Sequence, residues 1–280
     1  MKICKTIAEM RAASRAARRE GKRLGFVPTM GALHEGHLSL MRAAKSKCNA
    51  VAASIFVNPL QFAPTEDLAK YPRSFERDVA LLEKESVDLL FAPTPEEMYP
   101  AGAVTYITVE GLSEKLCGKS RPSHFRGVTT VVAKLLHIVE PDAAFFGQKD
   151  AAQATIIRRM VQDLNLPVEI VVCPIVREPD GLAMSSRNAY LSPQERQSAL
   201  ALNRSLTEVK HRFDQGERHA ANLMEAGKQV LAQEPTVRLD YFEIVDPATL
   251  DPMPELTRAA LVAVAAFVGG TRLIDNILLK

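Results

Sequence analysis

Phe26-Val-Pro-Thr-Met-Gly-Ala-Leu-His-Glu-Gly-His-Leu-Ser-Leu40 decides how the rest of the chain is read. The apolar run 24–27 reads as a buried strand. Pro28 is expected to end it, and Thr29-Met30-Gly31 to turn the chain, because glycine takes positive φ cheaply. A helix is expected from about Glu35, since Leu38, Met41 and Ala44 recur at helical spacing. A strand, a glycine turn and a helix start together make an anion site: the first helical N–H groups are unpaired and the dipole favours negative charge there. His34 and His37, three apart, share one face of the first turn. Gly36 between them leaves the backbone open to a ligand. Two imidazoles beside such a cradle point to charge stabilisation on a nucleotide.

A His-x-x-His pair alone is more often incidental or structural than functional. Zinc is a further alternative, although helical zinc pairs usually sit four apart and need a third ligand. The strand-turn-helix setting and the blocks that follow favour the nucleotide.

With 280 residues the chain can bury a full core in one large domain or two. An apolar fraction of 47% with 24% charged residues is ordinary for a soluble globular protein. The net charge of +2 gives no electrostatic footprint for nucleic acid. Basic residues cluster between Arg11 and Arg23, as in a transit peptide. Ile7, Met10, Ala13 and Ser14 keep helical spacing, however, and Glu9 and Glu20 interrupt the charge, so an amphipathic helix is expected. Cys4, Cys48, Cys117 and Cys173 show neither disulfide nor zinc-ribbon spacing. That fits a reducing cytoplasm. The longest apolar run, 259–268, is too short to cross a bilayer.

Outward from the histidine block, strand-like runs at 50–57, 87–92, 106–109, 143–146 and 168–173 alternate with helical patterns at 74–85, 127–139 and 151–164. Such alternation predicts an α/β fold with a doubly wound parallel sheet, whose ligands bind beyond the carboxyl ends of the strands. After about Arg177 the pattern changes to helices at 193–213 and 216–233, then strands at 237–244, 259–266 and 271–278. That is a smaller C-terminal α+β domain, with 174–180 as the hinge. The expected division is 1–175 and 176–280.

Pro28-Thr-Met-Gly-Ala-Leu-His-Glu-Gly-His37 resembles the signature of the pantothenate synthetase family, which belongs to the His-x-Gly-His nucleotidyltransferases related to class I aminoacyl-tRNA synthetases. The resemblance continues through Phe56-Val-Asn-Pro-Leu-Gln-Phe62, Tyr71-Pro-Arg73, Arg121-Pro-Ser-His-Phe-Arg-Gly-Val128, Phe146-Gly-Gln-Lys-Asp150 and Asp180-Gly-Leu-Ala-Met-Ser-Ser-Arg-Asn188, in the family's order across most of the chain. It implies a Rossmann-like ATP- and pantoate-binding domain, with the C-terminal domain closing over the site. The implied reaction is ATP-dependent condensation of (R)-pantoate with β-alanine through pantoyl adenylate, releasing AMP and pyrophosphate. Such a reaction must neutralise charge as a carboxylate approaches a polyphosphate.

By the same resemblance, His34, His37 and Lys149 carry the chemistry, with His37 as general acid. A solvated histidine titrates near ~6.5, and phosphates nearby favour its charged form. ATP is held by Met30, Gly31, Ala32, Leu33, His34, Glu35, Gly36 and His37, then by Gly147, Gln148, Lys149 and Asp150. Val176, through its backbone, and Met184, Ser185, Ser186 and Arg187 complete that set. Ser185-Ser-Arg187 is similar to the Lys-Met-Ser-Lys-Ser loop, whose hydroxyls and cationic group suit pyrophosphate. Gln61 and Gln153 hold pantoate, and Asn58 shapes the turn before Pro59. Asp78 is the acidic position considered for Mg²⁺, which also has ATP phosphates and water as ligands. The expected partners are small molecules and a second copy in a homodimer, with no nucleic acid and no membrane.

Alone, Lys149 is also consistent with a solvated lysine and Ser185-Ser186 with a capping pair. Two departures from the family pattern stand out: Ala151-Ala152 where a Tyr-Gln pair is usual, and Ser123 where glycine is usual. The alternatives are another His-x-Gly-His nucleotidyltransferase, which would release a stable nucleotidyl product, and a non-catalytic nucleotide-binding protein, which would turn nothing over.

Overall fold

Near-continuous apolar runs become strands covered on both faces, and the amphipathic segments become their covering helices. The computed structural model describes residues 1–63, 68, 69 and 71–280. In chain order the elements are β1 (Lys2–Cys4), α1 (Ile7–Arg19), β2 (Leu24–Thr29), α2 (Glu35–Lys47), β3 (Ala50–Ile55) and α3 (Phe75–Lys84). Then come β4 (Leu89–Phe91), α4 (Pro95–Met98), α5 (Cys117–Ser120), α6 (His124–Val139), β5 (Ala143–Gly147) and α7 (Ala151–Asp163). The chain closes with β6 (Glu169–Cys173), α8 (Pro193–Asp214), α9 (Ala220–Ala232), β7 (Val237–Val245), β8 (Ala260–Val268) and β9 (Thr271–Leu279). They group into two units. One holds Met1–Ser113, Arg121–Gly147 and Ile156–Pro174; the other holds Glu114–Ser120, Gln148–Thr155 and Ile175–Lys280.

The first unit contains a six-stranded sheet in the order β1-β4-β3-β2-β5-β6, parallel throughout. From β2 the chain winds through β3 and β4 to one side, and through β5 and β6 to the other. The topological switch point therefore lies between β2 and β5, where doubly wound sheets bind ligands. Val27, Val51, Ala53, Leu90 and Phe145 are buried in its core with Leu40, Met41 and Leu82 from the helices.

Three details differ from the sequence reading. Pro28 does not end β2 but sits inside it, opposite Ser54. β5 pairs with β2 only at Gly25 and Phe26, so on that side the missing N–H breaks no ladder bond. The short strand β1 has no sequence signal of its own, since three residues carry no period. Residues 106–109 form no strand: Thr129 Oγ1 donates to Ile107 O at 2.6 Å, and Ile107 N donates to Thr130 Oγ1 at 3.0 Å. Side chains of α6 take the backbone bonds that a neighbouring strand would otherwise take.

The second unit is built on the antiparallel meander β7-β8-β9. Leu202, Leu206 and Leu223 of its two long helices share a core with Phe242, Val262 and Val264 of the sheet. Ser192 caps α8 in a capping box with Glu195, and Pro193 follows at the first helical position, as the sequence predicts. The second unit also includes 114–120 and 148–155, so the expected cut near 175 describes only its last and longest piece. Side-chain bonds such as Ser120 to Asp240 and Gln148 to Asn276, invisible to periodicity, tie those segments to it.

In α6 the only residue type that fits position 127 is glycine. A Cβ there would lie 2.3 Å from Leu60 O and 2.7 Å from Gln61 N, both backbone atoms. Gly127→Ala is expected to push the 59–61 turn off α6 and to lower stability by about 2 kcal/mol, the range of overpacking. Urea denaturation followed by circular dichroism measures it.

Candidate active site

At the carboxyl end of β2 the chain is held by side chains chosen for its exposed N–H groups. Thr29 Oγ1 donates to Ser54 O at 2.6 Å and accepts from Gly31 N at 3.2 Å. Gly31 and Ala32 both take positive φ, +83° and +50°. For Ala32 that conformation costs roughly 1 kcal/mol. The Asp78 carboxylate, 1% exposed, offsets it by accepting from Ala32 N through Oδ2 at 2.8 Å and from Leu33 N through Oδ1 at 2.9 Å. Arg77 Nη1 donates to Leu33 O at 3.3 Å, and Ser74 Oγ stands 3.5 Å from Asp78 Oδ1.

This geometry bears on two expectations. Both Asp78 oxygens serve backbone donors in a buried position, a role separate from the metal ligation considered for it. Among the described residues no group of three His, Cys, Asp or Glu side chains can hold a metal. The Ala32 and Leu33 N–H groups face Asp78, so the donors at this helix start that lack intrahelical acceptors are those of Glu35 and Gly36.

His34 is the N-cap of α2, and His37 stands three residues on. Their rings are 4.1 Å apart, centroid to centroid, tilted by 42°. His34 N donates to His37 Nδ1 at 3.4 Å. An accepting Nδ1 places the His37 proton on Nε2. Met30, Gly36 and Glu35 lie on the same loop and helix start, with Glu35 paired to Arg42.

Gln61 ends a short 3₁₀ turn, Pro59–Gln61, after β3. Asn58, 1% exposed, accepts from Leu60 N at 3.3 Å and from the Tyr99 hydroxyl at 2.8 Å. Its Nδ2 donates to Gly127 O at 3.0 Å and to Gln61 Oε1 at 3.2 Å. Burial pushes the Tyr99 hydroxyl well above its ordinary pKa, so it stays a neutral donor. With Oε1 engaged, the Gln61 carboxamide turns its Nε2 to the Met30 sulfur, 2.9 Å away. Its backbone carbonyl accepts from His124 Nδ1 at 2.8 Å and Arg121 Nη2 at 3.3 Å, while Arg121 Nη1 lies 3.0 Å from His124 Nε2. The sequence reading gave Asn58 a turn-shaping role, which it has; it gave no position to Tyr99, Arg121 or His124 in this arrangement.

Ser123, where the resemblance leads one to expect glycine, takes φ +68° at the N-cap of α6 and makes no side-chain cap bond. Arg126 lies over the Tyr106 ring, 4.4 Å from its centroid.

In the second unit, Gln148–Asp150 forms a 3₁₀ turn ahead of α7. Lys149 Nζ is 3.7 Å from Asp150 Oδ1. Ala151 and Ala152 are buried in the first turn of α7, and Gln153 beside them is half-buried. Residues 176–184 double back on themselves: Met184 N donates to Val176 O at 3.0 Å, and Arg177 bridges to Ala183. Arg196 grips the turn through Glu178 and Asp180, both at 2.6 Å. Burial raises the Asp180 pKa, but Arg196 and the Leu182 N–H outweigh it and leave the carboxyl below its ordinary value. Beyond the hairpin, Ser185 Oγ accepts from Arg187 N at 3.2 Å and caps the turn Ser186–Tyr190. Gln148, Lys149 and this hairpin are anchored by Asp275, Asn276 and Arg177, residues that the sequence reading did not identify.

A parallel doubly wound sheet with a braced His-x-Gly-His block just past its switch point defines a nucleotide-handling α/β enzyme of the Rossmann-like class. A family model described as pantoate-beta-alanine ligase matches residues 2–278. A pantothenate synthetase of Koribacter versatilis is 59% identical over all of this chain and 96% of its own length. One from Thermotoga petrophila is 57% identical over the whole of both chains. A crystal structure of pantothenate synthetase from Thermus thermophilus superposes with a TM-score of 0.95 at 48% identity, covering 99% of each chain. The pantoate-beta-alanine ligase of Francisella tularensis, solved in complex with beta-gamma ATP and β-alanine, gives 0.79 at 33% identity over 99% of this chain and 97% of its own. The chain belongs to the pantoate-β-alanine ligase family.

Two outcomes test the loop and cap assignments. Asp78→Ala is expected to destabilise the protein by about 3 kcal/mol without nucleotide or metal, because two buried donors lose a charged acceptor. An unchanged urea midpoint together with a raised Mg²⁺ requirement would return Asp78 to the metal. Ser123→Gly is expected to stabilise by about 0.5 kcal/mol, relief of positive φ outweighing the added chain entropy. Thermal denaturation reads that sign directly.

Proposed function

We propose that the protein joins (R)-pantoate to β-alanine in two steps at the residues described above. The observation that carries this reading is the His34–His37 pair at the start of α2, past the carboxyl end of β2, in a chain matched by its family from end to end. A pantoate carboxylate oxygen attacks the α-phosphorus of ATP, and the bond to the bridging oxygen of pyrophosphate breaks. The amine of β-alanine, having lost a proton, then attacks the acyl carbon; the amide forms and AMP leaves.

The charge that moves onto the phosphates has to be met by donors already in place. His37 donates from Nε2, and His34, Lys149, Ser185, Ser186 and Arg187 supply the remaining donors and positive charge. Pantoate carries hydroxyls and a carboxylate, both acceptors. The Gln61 carboxamide suits them because Asn58 occupies its oxygen and one N–H faces the Met30 sulfur, which leaves its second N–H as the recognising group. Gln153 is the second pantoate amide. With Asp78 bonded to the loop, nucleotide phosphates and water would hold Mg²⁺, which would add positive charge against the polyphosphate.

Residues 101–106 and 108 are exposed, with Val104 81% and Tyr106 44% accessible. Held by the two Ile107 bonds, the Ala103 N–H to Pro100 O and the Arg126–Tyr106 stack, this β-prone segment still presents exposed side chains to the edge-to-edge partner of a second copy, and we assign it to the homodimer. The four cysteines are buried free thiols, as suits a reducing cytoplasm. No helix among the described residues is long and apolar enough to cross a membrane.

Incubation of the purified protein with ATP, Mg²⁺ and (R)-pantoate, with and without β-alanine, should give pantothenate and stoichiometric AMP only when β-alanine is present. A stable nucleotidyl product, or no turnover, would overturn the ligase reading. His37→Ala is expected to lower kcat roughly 100-fold or more, the scale of a lost transition-state donor. Gln61→Ala should act mainly on the KM for pantoate. For the homodimer, light scattering should find two chains in the parent and one in Val104→Asp; a monomeric parent removes that assignment.

A further inference from the structure

We infer that Asn276, on β9, is a positioning residue for Lys149 in adenylate formation; this rests on the ligase reading above. Asn276 is 3% exposed. Its Nδ2 donates to Gln148 O at 3.0 Å and to Lys149 O at 2.9 Å, and its Oδ1 accepts from Gln148 Nε2 at 2.9 Å. A carboxamide has two N–H donors and one acceptor oxygen, so every polar atom of this side chain is spent on one short turn. The two carbonyls it holds belong to the peptide planes on either side of the Lys149 Cα. Fixing both planes fixes φ and ψ at Lys149 and so the direction in which its side chain leaves the backbone. A lysine has four side-chain torsions of its own, and the root direction is what the fold can set.

Asp275 makes that post rigid. Its Oδ1 accepts from Asn276 N at 2.8 Å and Arg177 Nη2 at 3.0 Å, and its Oδ2 accepts from Arg177 Nη1 at 2.6 Å. Arg177 in turn donates to Gly181 O at 3.0 Å. One buried dipeptide of β9 thus sets the backbone of the Lys149 turn and braces the hairpin that leads to Ser185. Isosteric Asp cannot replace Asn at 276, because its oxygens would face two carbonyl oxygens with nothing to donate.

The test is pantoate-dependent exchange of labelled pyrophosphate into ATP, which reads the first step alone, in the full-length protein. Asn276→Asp is expected to lower the exchange kcat by roughly 10- to 100-fold, the scale of a small misplacement of a reacting group. The KM for pantoate should stay within about twofold, since uniform binding is untouched. Adding Asn276→Asp to Lys149→Ala should slow exchange no further, because residues acting through one another are non-additive. An unchanged kcat, or full additivity with Lys149→Ala, overturns the inference and leaves Asn276 a structural residue. Each variant is assayed where circular dichroism shows it folded; if Asn276→Asp does not fold, Asn276→Ser, which keeps one donor, takes its place. A parent protein without exchange, or Lys149→Ala at the parent rate, fails the underlying reading rather than this one.

Discussion

The structure of the nucleotide loop depends on one buried carboxylate. A chain leaving β2 must turn sharply to start α2, and the turn uses positive φ at Gly31 and again at Ala32. The second of these is unfavourable for an L side chain, and the turn also strands two N–H groups in the interior. Asp78 answers both needs, one oxygen for each N–H. Without it the loop could relax, and the start of α2, with His34 and His37 upon it, would no longer have a fixed place at the switch point of the sheet. That dependence also explains why an acidic residue near a nucleotide loop need have nothing to do with metal.

Much of this architecture is legible in the sequence because it is local. Alternating apolar runs and helical periods give the parallel sheet, and Ser192-Pro193 with Glu195 announces α8. The glycine-bearing block from Pro28 to His37 gives the loop and the two histidines. What is not legible is non-local or contrary to a local rule. Pro28 remains inside β2 because β5 stops pairing before it, which only the register shows. Residues 106–109 have strand composition but spend their central backbone bonds on Thr129 and Thr130, far along the chain. Segments 114–120 and 148–155 join the second unit through side-chain bonds that carry no period.

The candidate site divides the same way. Residues that belong to motifs are reached through the resemblance to the family, and residues that hold those motifs are not. Asn58 stands beside Gln61 in sequence, yet its bonds to Tyr99 and Gly127 place it at a junction of three segments. Ser123 shows what a departure from a family pattern means physically: the backbone still demands positive φ, and the serine adopts it without the glycine's freedom. Ala151 and Ala152 are both buried, so small side chains at these positions are part of the interior.

The choice of anchoring side chain follows from what the backbone leaves exposed. Around Ala32 and Leu33 the stranded groups are N–H donors, and only a group that accepts through two oxygens satisfies both; a carboxylate does so without needing a proton. Around Gly127 and Gln61, and again around Gln148 and Lys149, the stranded groups include carbonyls, which a carboxylate would repel. There the chain uses Asn58 and Asn276, whose amides donate to carbonyls and accept from a side chain or hydroxyl at once. Under the proposed function a neutral anchor has a second advantage: it holds geometry without adding negative charge to a field that has to stay positive. Asp275, the acid that stands beside Asn276, is neutralised by a two-pronged arginine.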